Sequence, residues 1–212
     1  MRLTPSFVVA VLVPACVTPR MAAPPELARD GELLEASDRT NVSGGLFDEN
    51  FRLGPYAVTD VHRLGNSSER FELALAQTDD GAGYEYNLFH GGTALRGSCR
   101  TGESSKKLAC TCASAKTTAT LSIQDQAGTF EGAITTSAGR YRVTSVHELE
   151  GGSNQNEPSG YRIDASGLAA AVDVIPPGRV LLKKTLDEGE RHELVCLFAG
   201  LMLFEPQEAT AE

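Results

Sequence analysis

The stretch that most constrains the fold is the last apolar run, "HELVCLFAGLMLF", from His192 to Phe204. Leu194, Val195, Cys196, Leu197, Phe198, Leu201, Met202, Leu203 and Phe204 would cover every face of a helix rather than one stripe. Such a helix has no side to offer water, so something apolar must surround it. It falls short of the roughly 20 apolar residues that a bilayer crossing requires. The expected surround is therefore protein, and at about 25 cal/mol per Å² covering this surface is worth several kcal/mol. Asp187, Glu188 and Glu190 precede the run. Carboxylates there suit the positive end of a helix dipole and mark the helix start.

Upstream, beyond Phe51, the chain breaks into short runs separated by Gly, Asn, Asp and Ser, the pattern of successive strands. The runs predict strands at roughly 55–63, 69–77, 83–90, 93–100, 107–113, 117–124, 128–136, 140–149, 160–166, 168–175 and 178–184. "DDGAG" (Asp79 to Gly83) and "ASG" (Ala165 to Gly167) read as hairpin turns, where positive φ is cheap for Gly. Short strands followed by one wholly apolar helix predict a barrel threaded by its own C-terminal helix.

An internal similarity points the same way. "GPYAVTDVHRL" from Gly54 and "GRYRVTSVHEL" from Gly139 match at Tyr56/Tyr141, Val58/Val143, Thr59/Thr144, Val61/Val146, His62/His147 and Leu64/Leu149. Two further correspondences, Gly92 with Gly178 and Cys110 with Cys196, keep a period of about 85 residues. Two copies of that length do not make a solenoid. They suit two related halves of one closed structure.

The segment "GYRIDASGLAAAVDVIPPGRVLLKKTLDEGERHELVCLFAGLML" resembles the last portion of the tubby C-terminal-like superfamily, which includes LURP-one-related and scramblase-type proteins. The matching positions are Tyr161, Ile163, Ala171, Val172, Gly178, Val180 and the helix from Arg191. The resemblance covers about residues 53–204 and implies a closed barrel of about twelve strands, built from two similar halves around a central helix. The basic residues of a phosphoinositide pocket and a scramblase-type calcium motif are missing here, so neither ligand is carried over. The expected fold is thus mainly β: a closed antiparallel barrel of about 11–12 strands with the hydrophobic C-terminal helix inside. The barrel would occupy 51–212, with halves at about 53–138 and 139–205.

The N-terminus reads "MRLTPSFVVAVLVPAC". Arg2 and the short apolar run Phe7 to Val13 have the form of a secretory signal over residues 1–15. "VPAC" resembles a bacterial lipobox, which implies acylation of Cys16 and its exposure as the mature N-terminus. Three acyl chains at about 0.8 kcal/mol per CH₂ exceed the two signals that stable anchoring needs. Secretion with cleavage elsewhere, or a start at Met21, are the plainer alternatives. Residues 16–50, rich in Pro, Ala, Gly and charge, are expected to form the lipidated Cys and a flexible tether. A helix over "PELARDGELLEA" would be interrupted by Gly31.

Chemistry is thinly signalled. No nucleophile elbow, phosphate loop or H-E-x-x-H occurs, so no catalytic residue and no cofactor are expected. His62 and His147 are the candidates for a metal pair, but a third donor is not evident. The preferred reading is that each ends a strand and hydrogen-bonds locally. Asp79 and Asp80 read as turn formers. Beyond Cys16, Cys99 could bridge to Cys110 or Cys112 across neighbouring strands, while Cys196 reads as a small buried hydrophobe. A formal charge of -9 with no basic cluster argues against nucleic acid. The expectation is a non-enzymatic, lipid-anchored cell-envelope protein. Its partners would be membrane lipid, through Cys16, and another protein. Val17 after the Cys suggests the outer membrane by analogy with lipoprotein sorting. The alternative is a lipocalin-like carrier for a small apolar ligand, with the helix outside.

Overall fold

The computed structural model describes residues 18–38, 49–64, 82–102 and 106–204. Helix α1 (Pro25–Asp30) and strand β1 (Glu32–Ser37) come first. They are followed by β2 (Phe51–Leu53), β3 (Tyr56–Leu64), β4 (Gly83–His90), β5 (Thr93–Thr101), β6 (Lys107–Ala113) and β7 (Thr118–Gln126). Then come β8 (Thr129–Thr135), β9 (Arg140–Val146), β10 (Gly160–Asp164), β11 (Leu168–Asp173), β12 (Arg179–Leu182) and helix α2 (Glu188–Leu203). The twelve strands form one closed antiparallel barrel, a meander from β2 to β12 that β1 closes by pairing with both ends. Closure leaves none of the twelve described strands with a free edge to template aggregation.

Strict alternation builds the wall. In β7, Ala119, Leu121 and Ile123 point inward while Thr118, Thr120 and Ser122 face out. Inside runs α2, whose residues Leu194 to Met202 are all buried. The helix touches β5, β6 and β7 on one flank and β11 on another, which explains why no polar stripe was needed. Asp187 caps its start, its side chain accepting the Glu190 N–H at 2.9 Å.

The wall is fitted to the helix. Tyr84 Oη donates to the Gly200 carbonyl and Tyr86 Oη to the Cys196 carbonyl, both at 2.7 Å, so each buried phenol finds a partner. A Cβ on Gly200 would stand 2.9 Å from both Cys99 Sγ and Tyr86 Oη. One on Gly97, opposite Tyr86 in the sheet, would stand 2.1 Å from the Tyr86 ring.

Residues 16–50 are not simply a tether. Among them, β1 is a barrel strand and α1 lies against β11 and β12. There Met21 and Leu27 cover the outward-facing Ala171 and Leu181 in a small second cluster. β11 is therefore buried on both faces, which its sequence "LAAAVD" permits. The Met21 N–H donates to Asp173 Oδ2 at 3.2 Å, and Arg179 Nη2 donates to the Met21 carbonyl at 3.1 Å. Arg179 Nε stands 3.2 Å from Asp173 Oδ2. Burial pushes the Asp173 carboxyl up, against the opposing pull of the Ile175 and Met21 N–H groups and of Arg179 and Arg20.

The two copies of the repeated motif fall on β3 and β9, six places apart in the twelve-strand ring. Tyr56, Val58, Tyr141 and Val143 all point inward. The copies then diverge, because β3 carries a register shift between Thr59 and His62, with Asp60 at φ 53°. The other correspondences do not align: Gly92 leads into β5 and Gly178 into β12, while Cys110 is on a strand and Cys196 on the helix. The strand expected at 69–77, the signal and Cys16, and Asp79 and Asp80 lie outside the described residues. The hairpin at Ala165 to Gly167 is present, closed by the Ala165 N–H to the Gly167 carbonyl.

Candidate functional site

The antiparallel meander brings to one end of the barrel the ends of its even strands and the starts of its odd strands. The entry of α2 lies there too, since β12 runs into it through a short connection. Glu32 opens β1, Tyr56 opens β3, and His90 closes β4 just before Gly91 and Gly92, both at positive φ. On α2, Glu188 and His192 are four residues apart and share one face.

These elements assemble a cluster. His90 Nδ1 lies 2.7 Å from His192 Nε2, a hydrogen bond in which one ring donates and the other accepts. Ligand atoms of His90, Glu188 and His192 all lie within 4.8 Å of one another. The Tyr56 ring lies tilted against that of His90, with centroids 4.5 Å apart, and meets the His192 ring edge-on at 5.6 Å. His192 is buried, His90 half-buried and Glu188 exposed, so the group opens to solvent on the carboxylate side. Beside it Arg191 pairs with Glu32. Burial, and secondarily His90, hold the His192 imidazole below its usual range. Burial also pushes Tyr56 up to about 12, so its phenol stays protonated. Glu193, on the same helix, accepts from Ser137 N at 2.8 Å and Ser137 Oγ at 2.9 Å, tying the β8–β9 turn to α2.

The histidines singled out from sequence lie elsewhere. His62 lies near the far end of β3 and His147 just beyond the far end of β9, away from this mouth and half a ring apart, so they do not form a pair. His62 is exposed. His147 lies within 3.1 Å of both Ser145 Oγ and the Asn156 carbonyl oxygen, a local arrangement. His90 and His192 were missed because 102 residues separate them in the chain. The only local signal was the Glu188-x-x-x-His192 spacing.

The cysteines resolve into two bridges. Cys99 and Cys110 are direct partners across β5 and β6 and form a cross-strand disulfide, one of the two pairings left open for Cys99. Cys112 bonds instead to Cys196, fastening β6 to α2. Cys196 is therefore not a free buried hydrophobe. It faces the strand because Cys110 and Cys112, two apart, both point into the lumen.

Comparison with family models, curated proteins and solved structures returns no match to this chain. Among the described residues, no helix is long and apolar enough to cross a membrane.

Proposed function

We propose that the chain is a lipid-anchored, non-enzymatic protein of the bacterial cell envelope that works by contact through the outside of its barrel. The observation that carries this reading is the occupied lumen. α2 lies where a lipocalin-like barrel would keep its ligand, and its side chains are buried all round, which argues against the carrier alternative. Two disulfides suit an oxidising compartment outside the cytoplasm. They consume four of the five cysteines and leave Cys16, the lipobox-like residue, for acylation. A twelve-strand barrel about a buried C-terminal helix is also the outline that the tubby-like resemblance implies, and membership of that superfamily is part of the proposal.

The partners in this reading are membrane lipid, through Cys16, and a second protein on the outer wall, with no nucleic acid. Val17 favours the outer membrane. The test is metabolic labelling of producing cells with an alkyne fatty acid. The full-length protein should take up label and sediment with membranes. Cys16→Ser should take up none and become soluble, and equal labelling of the two would defeat the reading.

A further inference from the structure

We propose that His90, Glu188 and His192 form a binding site for a divalent transition cation of the zinc class, bridging the end of β4 to the first turn of α2. The site does not depend on the lipid anchor or on the partner proposed above.

The donor set argues for the metal class. Two imidazoles and one carboxylate suit zinc and its neighbours, whereas calcium and magnesium prefer all-oxygen shells. Placement comes from two independent features of the fold. Glu188 and His192 share a helix face through their four-residue spacing, and His90 is delivered by the end of a strand. The nitrogens of the two rings already point at each other at 2.7 Å. In a tetrahedral zinc site, with Zn–N of about 2.0–2.1 Å, two such nitrogens stand about 3.3–3.4 Å apart. A metal therefore replaces the shared proton if the rings part by about 0.7 Å. His90 is half-buried at the rim and can make that movement, while the Tyr56 ring against both imidazoles limits their rotation.

Charge is favourable. The neighbouring Arg191 is matched by Glu32, so Glu188 supplies a net negative charge at the cluster. Its exposure leaves an entry path and a fourth position open to water. A bound cation would clip the plug helix to the mouth of the wall, at the opposite end of the barrel from Phe204.

Titration calorimetry of the full-length, disulfide-intact protein with zinc chloride tests this. One ion per chain should bind, with no heat from magnesium chloride, and zinc should raise the melting temperature. His90→Ala and Glu188→Gln should each weaken zinc binding at least about tenfold. Glu188 is exposed, so its variant keeps the barrel intact even if the other does not. The double variant His62→Ala/His147→Ala, which removes the chain's other two histidines, should bind as wild type. The site is disproved by absent binding, by binding untouched in Glu188→Gln, or by binding lost in the His62/His147 double variant.

Discussion

Tyr86 shows how closely single residues are matched in this barrel. Its ring lies over Gly97, where any side chain would collide, and its hydroxyl reaches the helix at Cys196. Gly97→Ala should therefore cost about 1–3 kcal/mol through overpacking, read as a lowered urea midpoint. An unchanged midpoint would mean that the Tyr86 ring lies elsewhere. Asp173 carries a different kind of strain. Its carboxyl is held above the usual range by burial, so the native state keeps a proton that the unfolded chain releases near pH 4. Stability from this group therefore falls as pH rises from about 4 through the folded-state value. Asp173→Asn loses hydrogen bonds at every pH but escapes that fall. Its deficit relative to wild type should shrink with rising pH, and a deficit independent of pH would contradict the assignment. At this scale the sequence was partly legible. A bridge from Cys99 to the neighbouring strand could be expected, but Cys110 and Cys112 share a face of β6, so alternation alone left the choice between them open. His90 with His192, and Cys112 with Cys196, could not be paired, because only closure of the whole ring around α2 joins them.

Among the elements, α2 was the easiest to foresee and β1 the hardest. A helix apolar on every face needs an apolar surround, so an enclosed position was the first expectation, ahead of the alternative that placed it outside a lipocalin-like barrel. "ELLEAS" is short and sits between Pro- and Gly-rich stretches, and it reads as a strand only once β12 and β2 offer their edges. The bulge at Asp60 hid in the same way, since the repeated motif suggests uniform alternation where β3 breaks it. Leu197 is fully buried at the centre of α2, so Leu197→Asp should prevent folding through an unpaired buried charge. Near-native thermal stability in that variant would mean that α2 is not enclosed. The Cys112–Cys196 bridge spans 84 residues, and in the chain-entropy view its loss costs about 4–5 kcal/mol. Cys196→Ser should lower the unfolding free energy more than Cys99→Ser, whose bridge spans only 11 residues. The reverse order would contradict the role of that bridge as the staple between plug and wall.

For the whole molecule, the fixing of Met21 replaces a long tether by a short one. Cys16 lies five positions before Met21, with four residues between them, and a fully extended chain over that interval reaches at most about 17 Å. Met21 bridges to Leu149, just beyond the end of β9 and opposite the mouth that holds His90 and His192. An acylated Cys16 would thus hold that end of the barrel close to the bilayer and turn the histidine cluster away from it. Mass spectrometry of non-reduced peptides from the membrane-extracted protein reads the anchor and both bridges at once. The expected peptides carry Cys16 as an N-terminal residue bearing three acyl chains, Cys99 joined to Cys110, and Cys112 joined to Cys196. An unmodified Cys16 would contradict the lipid anchor, and a free thiol at Cys196 would contradict the fastening of α2 to β6.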